Sequence, residues 1–205
     1  MDFEQLLQAR RSANNFMKDV HISKEELTDI FNLVKLAPSA FNLQHTKYVV
    51  VQDDVLKEQV REAAYGQYKV SSASAVILVL GDKKAYKNVG SLYEGLLHLG
   101  ILSKQEYDKQ VEEVTNFYVN RGEEFEKEEA IRNASLSAMQ FMLAAKAKGW
   151  DTCPMIGFDA NQIRDLLHIP EEEEIVMMIV IGKEKVASRR PRGYRKPVRE
   201  FVTYK

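Results

Sequence analysis

Hydrophobic positions along this chain switch between two periods. Three Val/Ile-rich runs, over residues 48–51, 75–80 and 175–182, are short and continuous, which predicts strands buried on both faces. Between them apolar residues return at helical spacing. Phe3, Leu6 and Leu7 mark a short amphipathic helix over residues 2–10. Ser23 and Glu26 are spaced as a capping box, with Ile22 and Leu27 as its hydrophobic staple. Leu27, Ile30, Phe31 and Val34 then supply one apolar stripe, and Ala37-Pro38 ends that helix. Residues 53–64 predict another helix, and Gly66 to Lys69 a polar turn.

The most apolar helical stretch runs from Ala134 to Ala147, interrupted only by Ser135, Ser137, Gln140 and Lys146. A helix apolar on nearly every side is buried on nearly every side. Lys146, Lys148 and Gly149 suit its C-terminal end. Cys153 to Gly157 reads as a loop leading to Asp159, whose spacing from Gln162 predicts a capping box stapled by Phe158 and Ile163. Residues 83–129 are charged and irregular, with helical stretches around 92–99 and 104–121. They are expected to add little to the core and to cover a site. The acidic runs Glu123 to Glu129 and Glu171 to Glu174 read as solvated faces.

Strands alternating with helices give an α/β or α+β sandwich, and 205 residues without repeats or linkers predict one domain. A net charge of −1 argues against nucleic acid as the main partner. One cysteine excludes an internal disulfide and, with no apolar leader in MDFEQLLQARR, leads to the expectation of a cytoplasmic protein. The helices are too interrupted by polar groups to span a membrane, and the four histidines lack metal-ligand spacing.

Several stretches carry candidate chemistry. Arg10-Arg11-Ser12 suits an anion, since guanidiniums bind phosphate in a bidentate fashion, although a solvated basic helix end would look the same. The loop from Pro38 to His45 is rich in amides that suit a heteroaromatic edge, or simply a turn. From Arg189 to Arg199 six of eleven residues are basic. That tail has no core of its own and must lie across this chain or another, with residues 198–204 as an edge strand. Cys153 reads as a core thiol.

Taken in order, RRSANNF, APSAFNLQ, CPMIGFD and the YRKP of the tail resemble the nitroreductase family of FMN-dependent NAD(P)H oxidoreductases. The resemblance implies an α+β three-layer sandwich, a central mixed or antiparallel sheet flanked by helices. It also implies a homodimer in which the tail, residues 188–205, embraces the partner as an exchanged strand. Arg10, Arg11 and Ser12 would hold the FMN phosphate and ribityl chain, with Arg195 and Arg192 on the phosphate. Pro38, Ser39, Ala40 and Asn42 would reach the flavin from the other subunit. Gln67 would meet the flavin or ribityl, Lys69 the N1–O2 edge, and Pro154, Met155, Ile156 and Gly157 would lie behind the ring with an amide near N5. Asn14 stands at the position where many relatives carry a second basic residue over the flavin. Ile156 replaces a common Gly or Glu, His45-Thr46 a common Pro-Trp, and Gly193 a lysine of some relatives.

The implied function is oxidation of NADH or NADPH with reduction of nitroaromatics, quinones or similar acceptors by ping-pong hydride transfer, needing no catalytic side chain and no metal. Rival readings are a specialised relative (reductive dehalogenation or flavin fragmentation), a flavin-binding protein that does not turn over, and a nucleic-acid module using the tail.

Overall fold

The computed structural model describes residues 2–205. Four strands make one sheet: β1 (Thr46–Val51), β2 (Ala75–Asp82), β3 (Asp151–Met155) and β4 (Glu173–Gly182), in the order β1-β2-β4-β3 with every ladder antiparallel. The helices are α1 (Phe3–Ala9), α2 (Lys24–Val34), α3 (Asp54–Ala63), α4 (Tyr68–Ser72), α5 (Val89–His98), α6 (Lys104–Val119), α7 (Gly122–Ala147) and α8 (Ala160–Leu167). The chain is therefore α+β.

Side-chain alternation along β2 explains the layering. Val76, Leu78 and Leu80 point into one core with Val60, Val70 and Ile163 from α3, α4 and α8. Ala75, Ile77 and Val79 point into a second core with Ile30 of α2 and Ala134, Ala138 and Phe141 of α7. The central strands are wrapped on both faces, which accounts for their continuous apolar runs. Helix α7 is the spine of the second core, and its Ala130 backbone sits so close to Gly81 that an added Cβ would lie 2.6 Å from the Ala130 oxygen. Gly149 ends α7 at φ 80, the left-handed position that glycine fills without a Cβ penalty.

Several expectations need correction. The fourth strand, β3, replaces part of the loop expected at Cys153 to Gly157, so Pro154 and Met155 are strand residues. A proline within a five-residue run hides the strand signal, yet it is admissible here because β3 is an edge. Helix α7 begins at Gly122, and the acidic run before Ala130 forms its first turns. Glu126 and Glu129 are buried, neutralised by Lys84 and Arg132 respectively. Glu173 is also buried, with the Lys47 ammonium at 2.7 Å.

Residues 83–129 are more than a cover: Leu43, Ala85, Tyr86, Val89, Val114 and Tyr118 form a third core. The turn at Gly66 (φ 72) runs directly into α4, so Tyr68 and Lys69 are helical. Asp159 caps α8 through Asn161 and Gln162 amides, but the Gln162 side chain donates to the Asp159 carboxylate instead of closing the box. The tail folds into a 3-10 turn at Val198–Glu200, not the edge strand expected over 198–204. Its two prolines and Gly193 deny it a regular ladder.

Candidate functional site

The exposed edge of β3 organises one group of predicted residues. Ser12 bridges Thr152 in parallel, with the Ala13 amide donating to the Thr152 carbonyl at 3.0 Å. That bridge fixes the segment after α1 against the sheet edge and leaves Ser12 and Asn14 exposed beside it. From the other side, Lys69 reaches the Cys153 sulfur at 3.6 Å, and the Gln67 amide donates to the Gly157 carbonyl at 2.7 Å. Ile156, next to it, is 82% exposed, an apolar side chain offered to whatever lies over this edge. One strand edge thus collects the helix-end arginines, the α4 start and the loop at Ile156 and Gly157.

The tail completes the cluster within the same chain. Arg10, Arg11, Ser12, Asn14, Arg190, Arg192 and Arg195 line a cavity of about 160 Å³. The Arg11 guanidinium donates to the Arg190 carbonyl, and Arg192 donates to the carbonyls of Gln8 and Arg10, the latter at 3.0 Å. Arg195 donates to Gly193 and Tyr194 carbonyls at 3.0 and 2.9 Å. None of these five arginines meets a carboxylate among the described residues; the ion-paired arginines are Arg61, Arg132, Arg164 and Arg189. The Arg11 Nε is buried without a partner among the described residues. Burial first, and then the Arg192 and Arg195 charges, hold Arg10 below the ordinary guanidinium value. Converging guanidiniums without a counter-charge and an orphaned buried donor fit a phosphate dianion.

Arg190 was not singled out from the sequence as a site residue. Arg192, two residues further on, was, and only the fold of the tail brings Arg190 to the cavity, where its carbonyl accepts from Arg11.

The loop at Pro38 lies elsewhere. It leads into β1, at the opposite edge of the sheet from β3. Three strand spacings, about 14 Å, separate those edges. Within one chain the Pro38–Asn42 loop therefore does not join the arginine cluster. Ser39 accepts from the Gln44 amide at 2.9 Å, and Ala40 donates to Asn133 at 2.8 Å. Phe41, Asn42 and Gln44 have φ of 51, 53 and 51, left-handed values on either side of a right-handed Leu43, and at Phe41 and Gln44 these cost about 1–3 kcal/mol each when unsupported. Beside the loop, Tyr48 donates to or accepts from Ser137 at 2.7 Å, and burial pushes its hydroxyl up to about 12.

Helix α7 joins the two regions across the surface. Phe3, Leu6, Leu33, Pro38, Leu136, Met139 and Leu143 line an apolar groove of about 580 Å³. No helix among the described residues is long and apolar enough to cross a membrane. Among the same residues no group of three or more His, Cys, Asp or Glu is placed to hold a metal.

The sequence pattern of the Nitroreductase family matches residues 7–183. This chain belongs to the nitroreductase family. It is 64% identical over 203 residues to a Bacillus subtilis protein named "Putative NAD(P)H nitroreductase MhqN", covering 99% of this chain and 98% of that one. It superposes on the crystal structure of the "putative nitroreductase ydfN" from Bacillus subtilis with a TM-score of 0.98 at 63% identity, covering 99% and 98% of the two chains. A "putative nitroreductase in complex with FMN" from Exiguobacterium sibiricum superposes with a TM-score of 0.91 at 31% identity, covering 100% and 98%. The nitroreductase fold and the four-stranded antiparallel sheet thus agree with the solved relatives.

Proposed function

We propose that this protein is a homodimeric FMN oxidoreductase that uses NAD(P)H to reduce nitroaromatics, quinones or related acceptors. The observation that carries the reading is the convergence of five arginines without a carboxylate beside the β3 edge. In this reading Arg10, Arg11, Arg192 and Arg195 hold the phosphate, and Ser12 and Asn14 meet the ribityl chain. Lys69 and Gln67 face the ring's pyrimidine side, and Ile156-Gly157 lies behind the ring. Bound FMN would supply the hydride chemistry, accepting from the nicotinamide and delivering to the second substrate in alternating turns.

The residues of this chain bind, orient and bias the charge. The arginines neutralise the phosphate. The Lys69 ammonium, with the Cys153 sulfur as its one hydrogen-bond partner among the described residues, is available to negative charge that builds up at the ring edge. Ile156 blocks part of one face and so limits what stacks there.

The divided site supports a second copy. Ser39 and Asn42 lie across the sheet from the arginines, and a twofold axis would bring each loop to the other chain's cluster. The apolar groove along α7 is a surface such an interface would cover, since a patch of this kind in contact with water is unfavourable. The tail of residues 188–205, exposed almost throughout, would lie against that partner.

The test is the visible spectrum of purified protein before and after anaerobic addition of NADPH or NADH. Yellow protein that bleaches supports the reading. Yellow protein that stays oxidised with both donors favours a flavin-binding protein without turnover. Colourless protein that cannot be loaded with FMN rejects it.

A further inference from the structure

We propose that Asn133 and Tyr93 are positioning residues of the flavin site, clasping the Ser39–Gln44 loop in the shape that sets Ser39 and Asn42 against a flavin held by the second copy. The proposal rests on the flavin reading above and adds residues from α5 and α7 that the reading does not use.

The starting point is backbone conformation. Phe41, Asn42 and Gln44 all lie in the left-handed region. Asparagine tolerates that region, whereas Phe and Gln pay for it with Cβ crowding. A loop with these dihedrals keeps its shape only when its surroundings over-determine it. Here they do. The Ala40 amide donates to Asn133 Oδ1 at 2.8 Å, and the Phe41 carbonyl accepts from Tyr93 Oη at 3.0 Å. Those two fastenings flank the first strained residue. Leu43 is buried in the third core, and the Phe41 ring packs edge-on against Phe117 at 5.2 Å.

Asn133 is itself fixed. It is 3% exposed, and its Nδ2 donates to the Glu129 carbonyl at 2.7 Å and to the Glu129 carboxylate at 3.3 Å. With the donor end committed, the Oδ1 end faces Ala40. The Glu129 carboxylate pairs with Arg132 and accepts from Tyr118 Oη at 3.4 Å, and Tyr118 Oη lies 3.3 Å from His45 Nε2. One connected polar network therefore holds both ends of the loop, at Ala40 and at His45. The α5–α6 layer is thereby a clamp for the loop at its base, whatever its outer surface meets. The predicted consequence is geometric: releasing either fastening lets Phe41 relax, and Asn42 moves with it.

The experiment titrates flavin-free protein with FMN and, separately, with riboflavin, reading fluorescence quenching and the visible circular dichroism of the bound ring. Riboflavin lacks the phosphate, so it separates the loop's effect from that of the arginines. Asn133→Leu is expected to weaken both flavins by the same factor, about tenfold, and Tyr93→Phe by about threefold, the range of one lost hydrogen bond. Both variants should alter the visible dichroism. Arg195→Ala should weaken FMN alone. Tyr93→Phe removes one hydroxyl and carries the test if Asn133→Leu does not fold. Native affinity for both flavins with unchanged dichroism in the folded variants overturns the proposal. Wild-type protein that binds neither flavin overturns the flavin reading itself, and the proposal with it.

Discussion

The Lys69 ammonium stands 3.6 Å from the Cys153 sulfur, tying the first turn of α4 to the edge strand β3. The pair places a cation on the same strand edge as Ser12 and the arginine cluster, from the opposite direction in sequence. A buried thiol is a weak acceptor, so the lysine keeps most of its capacity to meet a stronger one.

Lys69→Ala in FMN-loaded protein should therefore make the two-electron midpoint potential more negative by about 30 mV, equivalent to about 1.4 kcal/mol of lost stabilisation of the reduced ring. Dye-equilibrium titration measures it. An unchanged potential would place Lys69 away from the ring. Cys153 is 5% exposed, so a bulky disulfide reagent should label it only after unfolding in urea.

Arg10→Ala and Arg195→Ala should each weaken FMN binding by about 1.5–3 kcal/mol, the worth of a charge-assisted hydrogen bond. Equilibrium dialysis with FMN decides this. Equal retention by wild type and both singles would move the phosphate elsewhere.

Gly81→Ala should destabilise the fold by about 1–3 kcal/mol, because the new methyl meets the Ala130 backbone at 2.6 Å and neither β2 nor α7 can easily yield. Urea denaturation followed by far-ultraviolet dichroism reads the midpoint. A midpoint matching wild type would show that α7 shifts to admit the methyl.

Burial pulls the His45 imidazole down from 6.5 to about 4, with Asp82 opposing the shift. Its Nδ1 is buried without a partner among the described residues, so the folded protein resists protonating it. Between those two values the unfolded chain binds the proton and the folded chain does not, so stability falls as pH drops from about 6.5 towards 4. Stability curves for wild type and His45→Gln over that window should diverge, the variant sloping less. Parallel slopes would mean that His45 does not contribute.

Much of this molecule was legible in local chemistry. The helix start at Ser23, its stop before Pro38, the end of α7 at Gly149 and the apolar runs of β2 and β4 depend on neighbours a few residues apart, and the structure has them where capping and periodicity put them. The ordered motifs also sufficed to identify the family. β3 was not legible, because Pro154 and a short, mixed run carry no periodic signal, and pairing with β4 is what makes it a strand. In the acidic run before Ala130, Glu123, Glu124 and Glu128 are solvated as expected, while the burial of Glu126 and Glu129 is hidden for the same kind of reason. Sequence shows charge, but Lys84 and Arg132 come from other turns and elements to neutralise Glu126 and Glu129 in the interior.

The site divides along the same line. Residue types point to Arg10, Arg11, the amide loop and the basic tail as candidates, and the family resemblance adds Gln67 and Lys69. Only the tertiary fold decided that the tail arginines meet Arg10 and Arg11 within one chain, while the Pro38–Asn42 loop stands at the opposite sheet edge. It also decided that Asn133 and Tyr93, unremarkable in sequence, hold that loop. Periodicity and capping are local energies and can be read along the chain. Which charged groups converge, and which strained backbone is supported, depends on contacts between residues far apart in sequence, and those exist only once the sheet has set its order.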